Sequence, residues 1–104
     1  MQAAYTAASA GDTINLAAGV YPGQVLSGGS KAVTFRGRPS APAGYAVLRQ
    51  LQTANDNLTL DGLDIDANKQ MLSNGHALFE NGGGNNDTFE NSRIGNVTDQ
   101  KGAL

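Results

Sequence analysis

The chain has 104 residues, enough for one domain with one hydrophobic core. Its net charge of -2 and pI near 5.0 give no basic footprint for nucleic acid, and no apolar run is long enough to span a membrane. There is no cysteine, so disulfides say nothing about the redox compartment. Gly accounts for 14 residues and charged residues for only 15%, which favours many short strands and frequent turns over long helices.

The first element in the chain is a predicted helix over residues 1–10, MQAAYTAASA. This segment is alanine-rich and Gly11 follows it, and glycine suits the position just past a helix end. Tyr5 and Ala8 are expected on the buried face of the helix. Short apolar or alternating runs then predict strands at 14–16, 24–26, 32–35, 46–48, 51–53, 57–60, 63–66, 76–80, 87–90 and 92–97.

These strands recur in one order, with periods in the twenties. Thr34, Thr59 and Thr88 each precede an apolar residue, a charged residue and then Gly or Asn, and they lie 25 and 29 residues apart. Two further families accompany them. The second family consists of Val25, Leu51 and Leu78, and the third consists of Val47, Leu63 or Ile65, and Ile94.

A strand of three to five residues cannot bury its face alone, but stacked strands from successive turns can share a column of apolar side chains. Parallel pairing one full turn away, at about 4.8 Å, also satisfies the backbone. Such crossovers are right-handed in almost all known cases. The repeat therefore predicts an all-β fold, a right-handed parallel β-helix of about three coils over residues 11–104.

The Asp61-Gly62 pair, within NLTLDGLDID, tests this interpretation. Asp-Gly is a strong signal for a two-residue hairpin. The same kind of junction recurs at Arg36-Gly37 and Glu90-Asn91, which favours a corner between two sheets of one coil. A calcium loop of the EF-hand type is disfavoured, because the run lacks the ordered acidic spacing and the closing Glu.

The two ends of this predicted solenoid differ. The helix over residues 1–10 is expected to cover the open edge and the core of the first coil. At the other end Ala103 and Leu104 resemble the start of another inward strand. We therefore expect residues 1–104 to form one β-helix domain that is the amino-terminal fragment of a longer protein, with self-association through its uncapped last coil. A complete minimal solenoid would self-associate in the same way.

Several stretches resemble a known family. The run AASAGDTINLAAGVYPGQV is similar to the amino-terminal signature of right-handed parallel β-helix proteins of the pectate-lyase-like superfamily. NLTLDGLDID resembles the recurring coil of these proteins, and NDTFENSRIGNVTDQKGAL resembles the next one. The pattern is most like the amino-terminal coils of alginate-lyase and chondroitinase-type polysaccharide lyases, and phage tailspikes and bacterial surface proteins share the fold.

The resemblance implies an extracellular or cell-surface protein, bacterial or phage, that binds or cleaves polysaccharide, with this segment inactive by itself. In such lyases the catalytic Lys and Arg and the calcium-binding acids sit on later coils. No such motif matches residues 1–104, so no catalytic, cofactor or metal residue is assigned, the substrate-binding residues are unknown, and calcium is expected only in a longer protein. The alternative is a structural or adhesion solenoid without chemistry.

Several residues that could be functional are better explained by a structural role. His76 is the sole histidine and is expected at a surface or strand edge rather than as a general base. The carboxylates of Asp64, Asp66, Glu80 and Glu90 are expected to point outward, and Asp64 and Arg93 fall at matching places on successive coils, which predicts an ion pair rather than a metal site.

Further candidates are sequons, a glycine-rich run and scattered arginines. Asn57, Asn86 and Asn96 each begin an Asn-x-Thr triplet, and Asn91 lies at a corner where its side chain can bond to turn backbone. Residues 81–86, NGGGNN, lack the ending of a phosphate loop and predict a plain loop. A sugar-contacting patch of Arg36, Arg38, Arg49 and Tyr45 is less favoured than scattered surface arginines.

Overall fold

The computed structural model of the chain describes residues 1–37, 46–69, 76–80, 82 and 84–95. One helix, α1, spans Gln2–Ala7. The strands are β1 (Thr13–Asn15), β2 (Gly19–Tyr21), β3 (Gln24–Gly29), β4 (Val33–Arg36), β5 (Ala46–Leu48), β6 (Leu51–Asn55), β7 (Leu58–Asp61), β8 (Asp64–Asp66), β9 (Leu78–Glu80), β10 (Thr88–Glu90) and β11 (Arg93–Gly95).

Each strand from β1 to β8 pairs in parallel with the strand three places further along the chain. The first sheet has the order β1-β4-β7-β10, the second β2-β5-β8-β11 and the third β3-β6-β9. The fold is therefore all-β, with three stacked parallel sheets, and it is compatible with the predicted solenoid.

The first sheet confirms the predicted threonine register. Thr34 pairs with Thr59 and Thr59 pairs with Thr88, and β1 adds Thr13 to the same column. The alternate positions form an inward column whose members are Ile14, Phe35, Leu60 and Phe89. Phe35 and Leu60 are completely buried, so the core lies on the side of the sheet opposite the threonines.

The Asp61-Gly62 pair is a corner and not a hairpin, because β7 and β8 belong to different sheets. The backbone ladder continues through the stacked corners, where Gly37 N donates to the Asp61 carbonyl and Gly62 N donates to the Glu90 carbonyl. Gly62 and Asn91 both have positive φ, at 73° and 53°. Gly37 is needed for a different reason: a Cβ there would collide with the side chain of Leu63.

In two of the three predicted residue families, one member is not the inward residue of its strand, and the inward residue is the next one along the chain. In the third sheet Leu51 pairs with Leu78 as predicted, but Val25 pairs with Gln52 and is 56% exposed, while its neighbour Leu26 is buried. In the second sheet the inward column consists of Tyr21, Leu48, Ile65 and Ile94. The prediction of Val47 was therefore wrong, and Ile65 rather than Leu63 is the residue that pairs with Leu48 and Ile94. Adjacent apolar residues leave the choice of inward side chain open in a short strand.

The helix packs on β3 but is shorter than predicted, since Ala8 already has an extended backbone. Tyr5 is buried against the core and Ala8 packs beside it. The Lys31 ammonium lies over the Tyr5 ring and donates to the carbonyls of Tyr5 and Ala8 at 2.7 and 2.6 Å. A cation therefore satisfies carbonyls at the carboxyl end of the helix and holds it to the first coil.

We predict that Leu26→Ala lowers the free energy of unfolding by about 2–5 kcal/mol, because it leaves a cavity in the core. Val25→Ala is the matched control and should change it by about 0.5 kcal/mol or less, since the side chain is largely exposed. Urea unfolding followed by circular dichroism measures both changes. Equal losses in the two variants would contradict the register of the third sheet.

Candidate functional site

The outward face of the third sheet carries a pair of stacked rings. Val25, Gln52 and Phe79 pair in register on neighbouring strands and alternate with inward positions, so they share this face. The His76 imidazole stacks on the Phe79 ring, with centroids 6.3 Å apart and planes inclined by 12°. We call Val25, Gln52, His76 and Phe79 the aromatic–amide surface.

Side-chain amides support this surface from the second coil. Gln50 Nε2 donates to the His76 carbonyl at 2.9 Å, and Gln52 Nε2 approaches Gln50 Oε1 at 3.4 Å. These bonds join β6 to the residues that precede β9 and fix the place of the ring pair. The half-buried Phe79 ring thus lies next to amide groups that can both donate and accept hydrogen bonds.

His76 is half-buried before β9, in agreement with the strand-edge position expected from the sequence. Phe79 was missed as a candidate, because residues 76–80, HALFE, were interpreted only as an apolar strand. The signal that could have found it is alternation: once Leu78 is placed inward with Leu51, Phe79 must face outward. By the same alternation Glu80 takes the strand position in register with buried Thr53, yet its side chain is exposed, because β9 stands at the end of its sheet among the described strands.

Glu80 lies close to two other acidic side chains, those of Asp56 and Asp87. It pairs with buried Thr53, and its side chain fills the space beside Gly84. Asp87 Oδ1 accepts a hydrogen bond from Leu58 N at 2.9 Å, and Asp56 Oδ1 accepts one from Asn85 N at 3.0 Å. We call Asp56, Glu80 and Asp87 the carboxyl cluster of the third coil.

Two members of the carboxyl cluster, Glu80 and Asp87, have raised pKa values. Removal from water, followed by the charge of Asp87, raises the pKa of Glu80. Removal from water also raises the pKa of Asp87, and the Asp56 charge adds to it. Within the described residues Asp87 Oδ2 is buried without a hydrogen-bond donor. The side chains of Glu80 and Asp87 also share a hydrogen bond, which raises the pKa of Glu80 and lowers that of Asp87.

The other predicted acids face outward. Asp64 pairs with Arg93 in register, and Arg93 Nε lies 4.0 Å from Asp64 Oδ1, which confirms the predicted cross-coil pairing. Glu90 is exposed and pairs with Asp61. Asp66 Oδ1 accepts a hydrogen bond from Asn68 N. In the described ranges no three His, Asp or Glu side chains are grouped so that they could hold a metal ion.

Asp61 is the centre of a polar network on the first sheet. Asn91 Nδ2 donates to Asp61 Oδ1 at 3.0 Å and Arg36 Nε donates to Oδ2 at 3.1 Å. The hydrogen bond from Asn91, followed by that from Arg36, lowers the pKa of Asp61. Asn91 therefore has a structural role, but its partner is a carboxylate rather than the turn backbone expected from the sequence.

The predicted arginine patch is not brought together. Arg36 lies in β4 of the first sheet, whereas Arg49 follows β5 of the second sheet and donates to the Asp66 carbonyl at 3.0 Å. Arg38 and Tyr45 lie outside the described residues. Asn57 and Asn86 have positive φ and bond to each other across the coils, and Asn96 lies outside the described residues. In the 81–86 loop, Asn85 bonds to Asp56 and positions 81 and 83 lie outside the described part.

In comparisons with known proteins, no family model, no curated protein and no solved structure matches this chain. Among the described residues, no helix has the length and apolar character needed to cross a membrane.

We predict that Asn91→Ala raises the pKa of Asp61 toward its ordinary value, because the carboxylate loses the first of the two hydrogen bonds that hold its pKa down. A titration followed by carboxyl NMR shifts measures the change. Asn86→Ala removes a similar side chain without touching Asp61 and should leave its pKa unaltered. An unchanged Asp61 pKa in the Asn91 variant would contradict the network.

We also predict that Glu80→Gln flattens the pH dependence of stability. A carboxyl whose pKa is raised by folding stabilises the protein fully below its unfolded pKa, near 4.5 for Glu80, and loses that stabilisation as pH rises through the folded pKa. The wild-type free energy of unfolding should therefore fall over this window, and the variant should lose less. Urea unfolding in dilute protein from about pH 4 to about pH 7 measures the slopes. Parallel slopes would contradict a raised Glu80 pKa.

Proposed function

We propose that this chain is a segment of a right-handed parallel β-helix protein of the pectate-lyase-like type that binds polysaccharide outside the cell. The aromatic–amide surface is the observation that carries the proposal. A pyranose ring has an apolar C–H face, which packs well on an aromatic ring, and hydroxyl edges, which bond well to amides. Phe79 with Gln52 offers this combination on a regular sheet face.

The shape of the sheet supports an extended ligand rather than a small one. Val25, Gln52 and Phe79 follow one another across three strands spaced by about 4.8 Å. A line of side chains of this kind suits a chain of sugars lying along the solenoid axis. Because these residues stand on strands, their positions are fixed before the ligand arrives, which lowers the entropic cost of binding.

Binding and cleavage are separate parts of the proposal. No motif of the lyases matches this sequence, so no catalytic residue is assigned to this chain. The carboxyls of Asp56, Glu80 and Asp87 lie near the corner that follows β9, whereas Phe79 and Gln52 share the outward face of the third sheet. We therefore assign to this segment the holding of a polysaccharide and not its scission.

The test is binding of the whole chain to alginate, pectate and chondroitin by affinity electrophoresis and calorimetry. We expect Phe79→Ala to weaken binding to the preferred polymer about tenfold or more, since it removes the stacking ring. Val20→Ala is the control: its side chain is also exposed but lies on the second sheet.

Three outcomes are informative. Retarded migration that Phe79→Ala abolishes and Val20→Ala preserves supports the proposed surface. Binding that Phe79→Ala leaves intact contradicts this site. Absence of binding to all three polymers, with no ultraviolet absorbance from unsaturated products, favours a structural or adhesion solenoid without sugar chemistry.

A further inference from the structure

The amide nitrogens beside Phe79 already give hydrogen bonds within the protein. Gln50 Nε2 donates to the His76 carbonyl at 2.9 Å, and Gln52 Nε2 lies 3.4 Å from Gln50 Oε1. The Gln52 amide is thereby oriented with its nitrogen toward Gln50, which turns its acceptor atom Oε1 the other way. Gln52 therefore offers a ligand an acceptor oxygen together with its remaining N–H.

The other side chains of the outward line add no positive charge. An aromatic ring carries negative potential on its faces, and Phe79 shares the outward face with Gln52 and Val25. The Val25 side chain is aliphatic and largely exposed. Ring face, acceptor oxygen and methyl groups thus lie along the line, and none of them compensates the charge of an anion.

The strands of the third sheet contain no Lys or Arg at all, since β3 reads QVLSGG, β6 LQTAN and β9 LFE. The described cations serve other parts of the fold, where most of them bond to acids or to backbone carbonyls. They are Arg36 with Asp61, Arg93 with Asp64, Arg49 with the Asp66 carbonyl, Lys31 with the carbonyls of Tyr5 and Ala8, Lys69 after β8, and the terminal ammonium with Gln24 Oε1 in β3, the strand at the opposite edge from β9.

We propose, as a step that rests on the proposed function, that the aromatic–amide surface selects uncharged polysaccharide over polymers of the same backbone that carry carboxylates. A sugar hydroxyl both donates and accepts, so it can bond to Gln52 Oε1 and to the remaining N–H. A carboxylate only accepts. On this surface it would give up water without a cation to replace it, and it would face an acceptor oxygen and a ring face.

The acids of the third coil strengthen this selection. Glu80 follows Phe79 directly and is exposed, and Asp56 and Asp87 lie close to it. A polymer with a carboxylate on every sugar brings like charges to β9, whereas an uncharged polymer keeps the stacking on Phe79 without that repulsion. Pectate, alginate and chondroitin remain ligands of the surface, but weaker ones than their uncharged counterparts.

The experiment compares each charged polymer with its own neutral form. Reduction of the carboxylates of pectate and alginate to primary alcohols changes the exocyclic carbon of each sugar and leaves the linkages intact. Calorimetry of the full chain with soluble oligosaccharides of both forms gives the affinities, at about 0.1 M salt, where charges more than about 10 Å apart are largely screened. We expect the reduced form to bind at least about tenfold tighter than its charged parent.

A matched pair of lysine variants separates the surface from the net charge of the chain. Val25→Lys places a cation on the outward line of the third sheet, whereas Val20→Lys adds the same charge to the second sheet. The two valines are similarly exposed, at 56% and 61%. Val25→Lys should narrow the preference about threefold or more, and Val20→Lys should retain it. Far-ultraviolet circular dichroism checks that both variants fold like wild type.

The outcomes distinguish this selection from the proposed function. Equal or tighter binding of the charged parent, still abolished by Phe79→Ala, overturns the selection and leaves the binding surface standing. A preference that Val25→Lys leaves unchanged, or that Val20→Lys narrows as much, also overturns the selection. Absence of binding to every charged and reduced form, or binding that Phe79→Ala leaves intact, overturns the proposed function and the selection with it.

Discussion

The parallel stacking of inward side chains about two dozen residues apart is the constraint on which the structure depends. Ile14, Phe35, Leu60 and Phe89 form one column, and the register of the first sheet follows from it. A slip of one residue would turn threonines into the core and these side chains into water. Because each strand is only three to six residues long, no strand holds its register alone, and the column fixes all coils at once.

The three sheets use this constraint differently. The inner column of the first sheet is apolar throughout, whereas the third sheet admits the polar residues Thr53 and Asn55 at buried inner positions. Thr53 Oγ1 accepts a hydrogen bond from Asn55 N, and Asn55 Oδ1 accepts one from Gly28 N, so most of this polarity is satisfied locally. Polar groups thus enter the core beside the corner after β6, where the backbone leaves the ladder and needs partners.

The sequence predicted the first sheet well because threonine, an apolar residue, a charge and a turn residue recur together in each coil. It failed at Val25 and Val47, each of which has an apolar neighbour, Leu26 and Leu48, that competes for the inward position. Nothing in a three-residue apolar run decides between the two, and only the pairing with the next coil does. Phe79 was overlooked as a surface ring for the same reason, because it adjoins Leu78, which takes the inward position. The Asp64–Arg93 pairing could be predicted because its spacing follows the Thr59 to Thr88 period.

Strand β9 places two chemically different side chains on its two faces. Successive side chains of a strand point to opposite faces, so Phe79 shares the outward face with Gln52, whereas the adjacent Glu80 is in register with buried Thr53. Glu80 itself is exposed, because β9 stands at the end of its sheet among the described strands. A sugar chain bound as proposed would contact Phe79 and Gln52 and would not need the carboxyl on the other face. The alternation along β9 is therefore what separates the proposed binding surface from the acids of the third coil.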